Sequence, residues 1–146
     1  MQTDPYLEQY SNYYRLLHEY NKYNSLMIAV DFDDTLYDYH KKGHTYTQVA
    51  QLVRNLKSIN CEIIIWTGNQ NLEFVKQYLE DNNIPYDKIN EECETTLKYL
   101  YENGDKPIPR KLYANAYLDD RAGLLQMYIE LDLLFQNVKA NKNDLL

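Results

Sequence analysis

Hydrophobic positions along the 146-residue chain alternate between two rhythms: short continuous apolar runs, and longer stretches with apolar residues three or four apart. The runs are Leu26-Met27-Ile28-Ala29-Val30, Ile63-Ile64-Ile65-Trp66 and a looser one over residues 113–118, with a weak fourth at 86–89. Continuous runs of this length are the pattern of strands buried on both faces of a parallel sheet. Helical spacing joins Val49, Leu52, Val53, Leu56 and Ile59, then Leu72, Val75, Tyr78 and Leu79. It returns briefly at Leu97, Leu100 and Tyr101, and again from Leu124 through Tyr128, Leu131, Phe135 and Val138. Ahead of the first run, Asp4-Pro5 predicts the N-cap and first residue of a helix with Leu7, Tyr10, Tyr14 and Leu17 along one face, ending near Asn24-Ser25. Strands alternating with helices predict an α/β fold, a mostly parallel sheet flanked by helices, with ligands at the carboxyl ends of the strands.

This length suits one domain over residues 1–146: an N-terminal helix (1–24), a core (26–121) and a C-terminal helix (123–140). A formal charge of −7 repels a phosphate backbone and argues against binding of long nucleic acid. Two cysteines, Cys61 and Cys93, cannot form a disulfide framework and read as ordinary reduced thiols. No apolar run approaches the ~20 residues that span a bilayer, and the start lacks a signal-peptide pattern, so a cytoplasmic protein without membrane association is expected. His18, His40 and His44 have no zinc-ligand spacing. The sixteen tyrosines recur at spacings that suit amphipathic helices, where a ring is buried and its hydroxyl stays wet.

Acids arrive where strands end. Asp31 and Asp33 follow the first run two residues apart, a spacing that sends both carboxylates to one side of an extended chain. Asp119 and Asp120 end another predicted strand. Such a concentration of carboxylates calls for a cation or a shared proton, and oxygen-only ligation favours Mg²⁺ over Zn²⁺. Thr67, ending the second long run, and Lys111 add donors for phosphoryl oxygens. Each residue also has a plainer role: strand-end capping for the aspartates, a strand-to-helix turn for Thr67-Gly68-Asn69, replacement of Lys111 by Lys106 or Arg110, and a salt bridge from Asp120 to Arg121 or Lys111.

Asp31-Phe32-Asp33-Asp34-Thr35-Leu36 after an apolar strand resembles the D-x-D-x-T motif that opens the haloacid dehalogenase (HAD) superfamily. Thr67, Lys111 and Asp119-Asp120 are similar to its second, third and fourth motifs in the same chain order, and residues 111–123 resemble the short HAD-type hydrolases of bacterial and phage genomes. The resemblance implies a Rossmann-like HAD fold and a Mg²⁺-dependent phosphatase. Asp31 would be the nucleophile and a metal ligand, and Asp33 the acid/base with its main-chain carbonyl on the metal. Thr67 and Lys111, with Gly68 and Asn69 beside them, would hold the phosphoryl group, and Asp119 and Asp120 would complete the metal set. At Asp34 the family often carries Gly, and an aspartate there is expected to point toward solvent. The intervals 36–60 and 68–110 are consumed by core elements, leaving a minimal cap or none.

The expected activity is hydrolysis of a phosphomonoester through an aspartyl-phosphate, with a nucleotide or nucleic-acid end open as the substrate. The basic stretch His40-Lys41-Lys42-Gly43-His44 is either a second-phosphate contact or a solvated loop. Two rivals stand beside this reading. A response-regulator receiver domain has similar parts, but there the phosphorylated aspartate precedes the Thr and Lys without a second acidic pair after them. A catalytically idle HAD-like module that binds a phosphorylated ligand or protein partner is the alternative from a different class.

Overall fold

The computed structural model describes residues 4–107 and 111–144, with side chains described through residue 142. Strands β1 (Met27–Val30), β2 (Glu62–Ile65), β3 (Lys88–Ile89) and β4 (Ala116–Leu118) form one sheet of order β3-β2-β1-β4, every pairing parallel. Around it lie α1 (Ser11–Tyr23), α2 (Thr47–Ser58), α3 (Leu72–Asp81), α4 (Glu94–Glu102) and α5 (Leu124–Asp144). This is a Rossmann-like α/β arrangement. β1 is central, and its last residue, Val30, lies opposite both Ile65 and Leu118, so three strands end level with one another. Between β1 and α2 the chain forms only turns and one isolated bridge, Asp33 to Tyr37, with no inserted helix or strand pair.

Alternation along the strands divides the interior. Ile28, Val30, Ile63, Ile65, Ala116 and Leu118 pack into the main core with Leu16 of α1, Leu56 of α2, Leu79 of α3 and Leu131 of α5. Each of the Val, Leu and Ile side chains taken from water contributes about 1.5–3 kcal/mol. The opposite face is thinner: Ile64 meets Cys93 and Leu112, with Met27 alongside, and the Thr96 hydroxyl of α4 lies 3.0 Å from the Met27 sulfur. Both cysteines are free and buried; burial pushes the Cys61 thiol up to about 11 and raises Cys93 as well. Among the described residues no helix is long and apolar enough to cross a membrane.

Two elements differ from the expectations drawn from the sequence. The N-terminal segment is not one helix from Asp4. The Asp4 carboxylate accepts the Tyr6 N–H and closes a 3-10 turn at Pro5–Leu7, after which Tyr10 takes a left-handed conformation (φ 61°) and α1 begins. The buried side of α1 carries Leu16 and Tyr20, whereas Leu7, Tyr10 and Tyr14 are exposed and Leu17 is half-buried. Tyrosine scores as apolar yet tolerates water at its hydroxyl end, which is why its spacing misidentified the face. Tyr20 is held by donating to the Ile59 carbonyl at 2.7 Å. The last strand also starts later than residue 113, because the Tyr113 N–H turns to the buried Glu92 carboxylate (3.1 Å to each oxygen) instead of joining the sheet.

Asn115 launches β4 beside β1. Its side-chain oxygen accepts the Met27 N–H at 2.7 Å, its own N–H reaches the Met27 carbonyl at 2.7 Å, and its amide donates to Glu19 of α1 at 2.9 Å. Arg15 closes the network by donating to the Asn115 carbonyl at 3.0 Å and pairing with Glu19 at 3.1 Å. Removing the amide strands a half-buried N–H, so Asn115→Ala should lower unfolding free energy by about 1–3 kcal/mol. Urea denaturation checks this. Exposed Asn103, whose amide serves only its own helix end, should cost less than half as much when truncated.

Candidate metal centre

The end of β1 is a tight turn built on one carbonyl. Phe32 O accepts from the N–H groups of Thr35 (3.3 Å), Leu36 (2.9 Å) and Tyr37 (3.0 Å), reversing the chain immediately after Asp31. The Phe32 ring is fully buried and anchors that turn, stacked on Tyr37 (5.4 Å between ring centroids) and edge-on to Tyr78 (5.5 Å) and Phe74 (6.2 Å) of α3. Asp31 N donates to Leu118 O at 2.9 Å, which ties the motif to the end of β4.

That tie brings the two acidic segments together. Oxygens of Asp31, Asp119 and Asp120 all lie within 4.8 Å of one another. At an effective dielectric of ~20, two full charges at that separation repel by about 3 kcal/mol, more than one ordinary hydrogen bond offsets. The buried Thr35 hydroxyl threads the group: it lies 3.1 Å from Asp31 Oδ2 and 3.3 Å from Asp120 Oδ1, and accepts the Asp120 N–H at 3.1 Å. One hydroxyl proton cannot neutralise three carboxylates. Burial, then the hydrogen bond with Asp120 and the charge of Asp119, push the Asp31 carboxyl up to about 7, against the opposing pull of Thr35. An all-carboxylate donor set of this kind fits a hard divalent cation.

The remaining predicted residues are placed unequally around this cluster. The Asp33 carboxylate is outside the three-residue group and accepts from the Asn69 amide at 3.3 Å. The buried Thr67 is pinned from both sides by Asn90, whose amide oxygen accepts the Thr67 N–H (2.8 Å) and whose amide nitrogen donates to the Thr67 carbonyl (2.9 Å). The Thr67 hydroxyl accepts the Asn69 N–H at 3.0 Å, and its own proton meets no acceptor among the described residues, leaving it available to a ligand oxygen. Gly68 is exposed, with open space where a Cβ would sit. Lys111 is exposed and forms no ion pair among the described residues; Arg110 lies outside them. The exposed Lys106 likewise makes no such pair.

Asp34 does not point freely into solvent. Its φ of 59° is left-handed, a conformation glycine adopts without strain and aspartate tolerates, and its carboxylate is 2.6 Å from His40 Nδ1. The rest of the basic loop is organised by Asp38, which accepts from the N–H groups of Lys42 (3.2 Å) and Gly43 (2.8 Å). Three residues of this region escaped the reading of the sequence. Thr35 lies within the quoted motif but its hydroxyl role needs β4 beside it. Asn90 has no local signal except a position after an apolar run. Tyr46, at the N-cap of α2, has its phenol raised above the usual value by burial and then by the carboxylates of Asp34, Asp38 and Asp120.

No family model matches the chain, and no curated protein matches it. Among solved structures it is similar to a conserved protein coded by a locus from Bacteroides thetaiotaomicron, with a TM-score of 0.55 and 20% identity over 81% of this chain and 93% of that one. At that identity the likeness shows the fold, an α/β sheet of Rossmann type.

The raised Asp31 carboxyl has a consequence for stability. Without metal, the folded protein holds a proton there up to about pH 7, whereas the unfolded chain releases it near an ordinary aspartate value of ~4, so this group's contribution falls as pH rises between the two. In chelator, Asp31→Asn should therefore melt above the native protein at pH 8, with the gain closing toward pH 4. Thermal unfolding across that range measures it; parallel pH profiles for the two proteins would contradict the assignment.

Proposed function

We propose that the protein is a Mg²⁺-dependent phosphohydrolase of HAD type that cleaves a phosphomonoester through an aspartyl-phosphate. The observation that carries this reading is the meeting of Asp31, Asp119 and Asp120 at the level ends of two adjacent parallel strands, with a free Thr67 hydroxyl at the end of the third. Asp31, Asp119 and Asp120 would hold the Mg²⁺, which supplies charge neutralisation at the phosphoryl group when bound.

The chain's own groups then divide the work. An Asp31 carboxylate oxygen bonds to phosphorus as the bond from phosphorus to the ester oxygen breaks, and Asp33 gives that leaving oxygen its proton. In the second step Asp33 takes a proton from water, the water oxygen bonds to phosphorus, and the Asp31–phosphorus bond breaks to release phosphate. Asn69 keeps the Asp33 carboxylate oriented, and Thr67, fixed by Asn90, donates to a phosphoryl oxygen. Lys111, an exposed residue, would add its charge to the phosphoryl group.

A second reading, an idle module that binds a phosphorylated ligand, is favoured by that last observation, since a Lys111 unpaired with the acids leaves the phosphoryl group one committed cation short. Turnover separates the two. Asp33→Asn should reduce phosphate release by about 10²–10⁴-fold, the usual scale of general acid/base catalysis, while calorimetry shows Mg²⁺ still bound. Near-native turnover would remove Asp33 from its role, and no release from the Mg²⁺-loaded native protein on a panel of phosphomonoesters would favour the binding module.

A further inference from the structure

One peptide group joins the acidic cluster to an aromatic pair on the thinner face of the sheet. The Val30 carbonyl accepts the Trp66 N–H at 2.9 Å, and the Asp31 N–H of the same peptide donates to Leu118 O at 2.9 Å. Trp66 therefore continues the register in which Val30 lies opposite Ile65, and it neighbours Asp31 across one strand spacing, as Asp119 does on the other side. Alternation assigns the faces. Val30 and Phe32 pack into the main core, so Asp31 lies on the opposite face with Ala29, and Ile64 marks that same face for Trp66.

The two rings of the pair meet over β1. Two strand spacings, roughly 9.5 Å, separate the backbones of Trp66 and Tyr117, yet their ring centroids are 5.6 Å apart. Both side chains thus lean inward across the central strand, where the buried Ala29, in register with Tyr117 and Ile64, is small enough to pass beneath them. Helix α4 reaches this face lower down, at Met27. Tyr117 is held by donating its hydroxyl to the Leu112 carbonyl. It props the indole at an angle of 56° instead of lying flat on it, and Trp66 stays 38% exposed.

This patch offers ring surface alone. The Tyr117 hydroxyl is committed to Leu112 and Ala29 has no polar side chain, so a polyol finds few partners there, whereas a planar aromatic group gains a stack on the indole. Resting on the phosphohydrolase reading above, we propose that Trp66 receives a planar aromatic group of the substrate, and that the substrate class is a phosphomonoester of an alcohol carrying such a group, a nucleobase or a simple aryl ring. The phosphoryl end lies at Asp31, Asp119 and Asp120, and the aromatic end lies against the open surface of Trp66 beside Asp31.

Trp66 is the sole tryptophan of the chain, so its fluorescence reports this position by itself. In Asp33→Asn loaded with Mg²⁺, adenosine 5′-monophosphate should quench that emission saturably and ribose 5-phosphate should not, and inorganic phosphate should relieve the quench by competing for the metal end. In the native protein, kcat/KM for adenosine 5′-monophosphate or 2-phenylethyl phosphate should exceed that for ribose 5-phosphate by about tenfold or more, on the scale of aromatic stacking. Trp66→Leu should lower that preference at least fivefold. Trp66→Phe, which keeps a ring, should retain most of it, and Tyr99→Leu, at an exposed position on α4, should not move it. A preference confined to the nucleotide assigns a nucleobase, and an equal preference for both aromatic esters assigns any aryl ring. The quench needs no substitution at Trp66, so it decides the matter even where Trp66→Leu fails to fold. A quench that phosphate relieves, without hydrolysis of any ester by the native protein, would sink the phosphohydrolase reading and leave a binding site for an aromatic phosphate. Hydrolysis with no quench and an unchanged preference in the Trp66 variants would overturn the stacking assignment, as would a quench that phosphate does not relieve.

Discussion

Three like charges held within 4.8 Å are the constraint from which the rest of this structure follows. Carboxylates do not gather unaided. They are forced together because β1 and β4 are parallel neighbours that end level, and the chain reverses directly after each. The paired strands supply the rigidity, and the Thr35 hydroxyl, buried between Asp31 and Asp120, relieves part of the repulsion. Burial, together with the remaining repulsion, raises Asp31, so the metal-free cluster keeps a proton there up to about pH 7.

Keeping that cluster in place takes support from below and behind. Phe32, between the two motif aspartates, drives its ring into an aromatic group with Tyr37, Phe74 and Tyr78, so the turn that aims Asp31 and Asp33 is fastened to α3 by apolar burial. At the other end of the same strands, Asn115, Glu19 and Arg15 lock α1 to the start of β4 and thereby hold the register that levels the carboxyl ends. Asn90 does for Thr67 what Phe32 does for Asp31, using two hydrogen bonds instead of a buried ring.

How much of this was legible in the sequence depends on whether the signal is local. Ile28 through Val30 and Ile63 through Ile65 are continuous apolar runs, and they are the strands at the centre of the sheet; the helices from Thr47, Leu72 and Leu124 follow from three-and-four spacing. That acids terminate two strands is also local. That those two strands are adjacent is not, because strand order is a long-range property, and with it went the bridging role of Thr35. The N-terminal helix face was misassigned because ambivalent tyrosines set its pattern, while Leu16 and Tyr20 are chosen by what α5 and Ile59 offer. Asn90 and Tyr46 have no signal for the same reason: neither belongs to a motif, and each matters through partners elsewhere in the chain, Thr67 for Asn90 and Asp34, Asp38 and Asp120 for Tyr46.

The most direct test of the metal centre is a crystal structure of the native protein grown with Mn²⁺, a hard cation that can stand in for Mg²⁺ and is located by anomalous scattering. The account predicts one ordered peak at the carboxyl ends of β1 and β4, with oxygens of Asp31 and of at least one of Asp119 and Asp120 at about 2.0–2.6 Å, the range of hard-cation ligation. A fully occupied Mn²⁺ elsewhere, with Asp31 and Asp120 still joined through a shared proton, would contradict it.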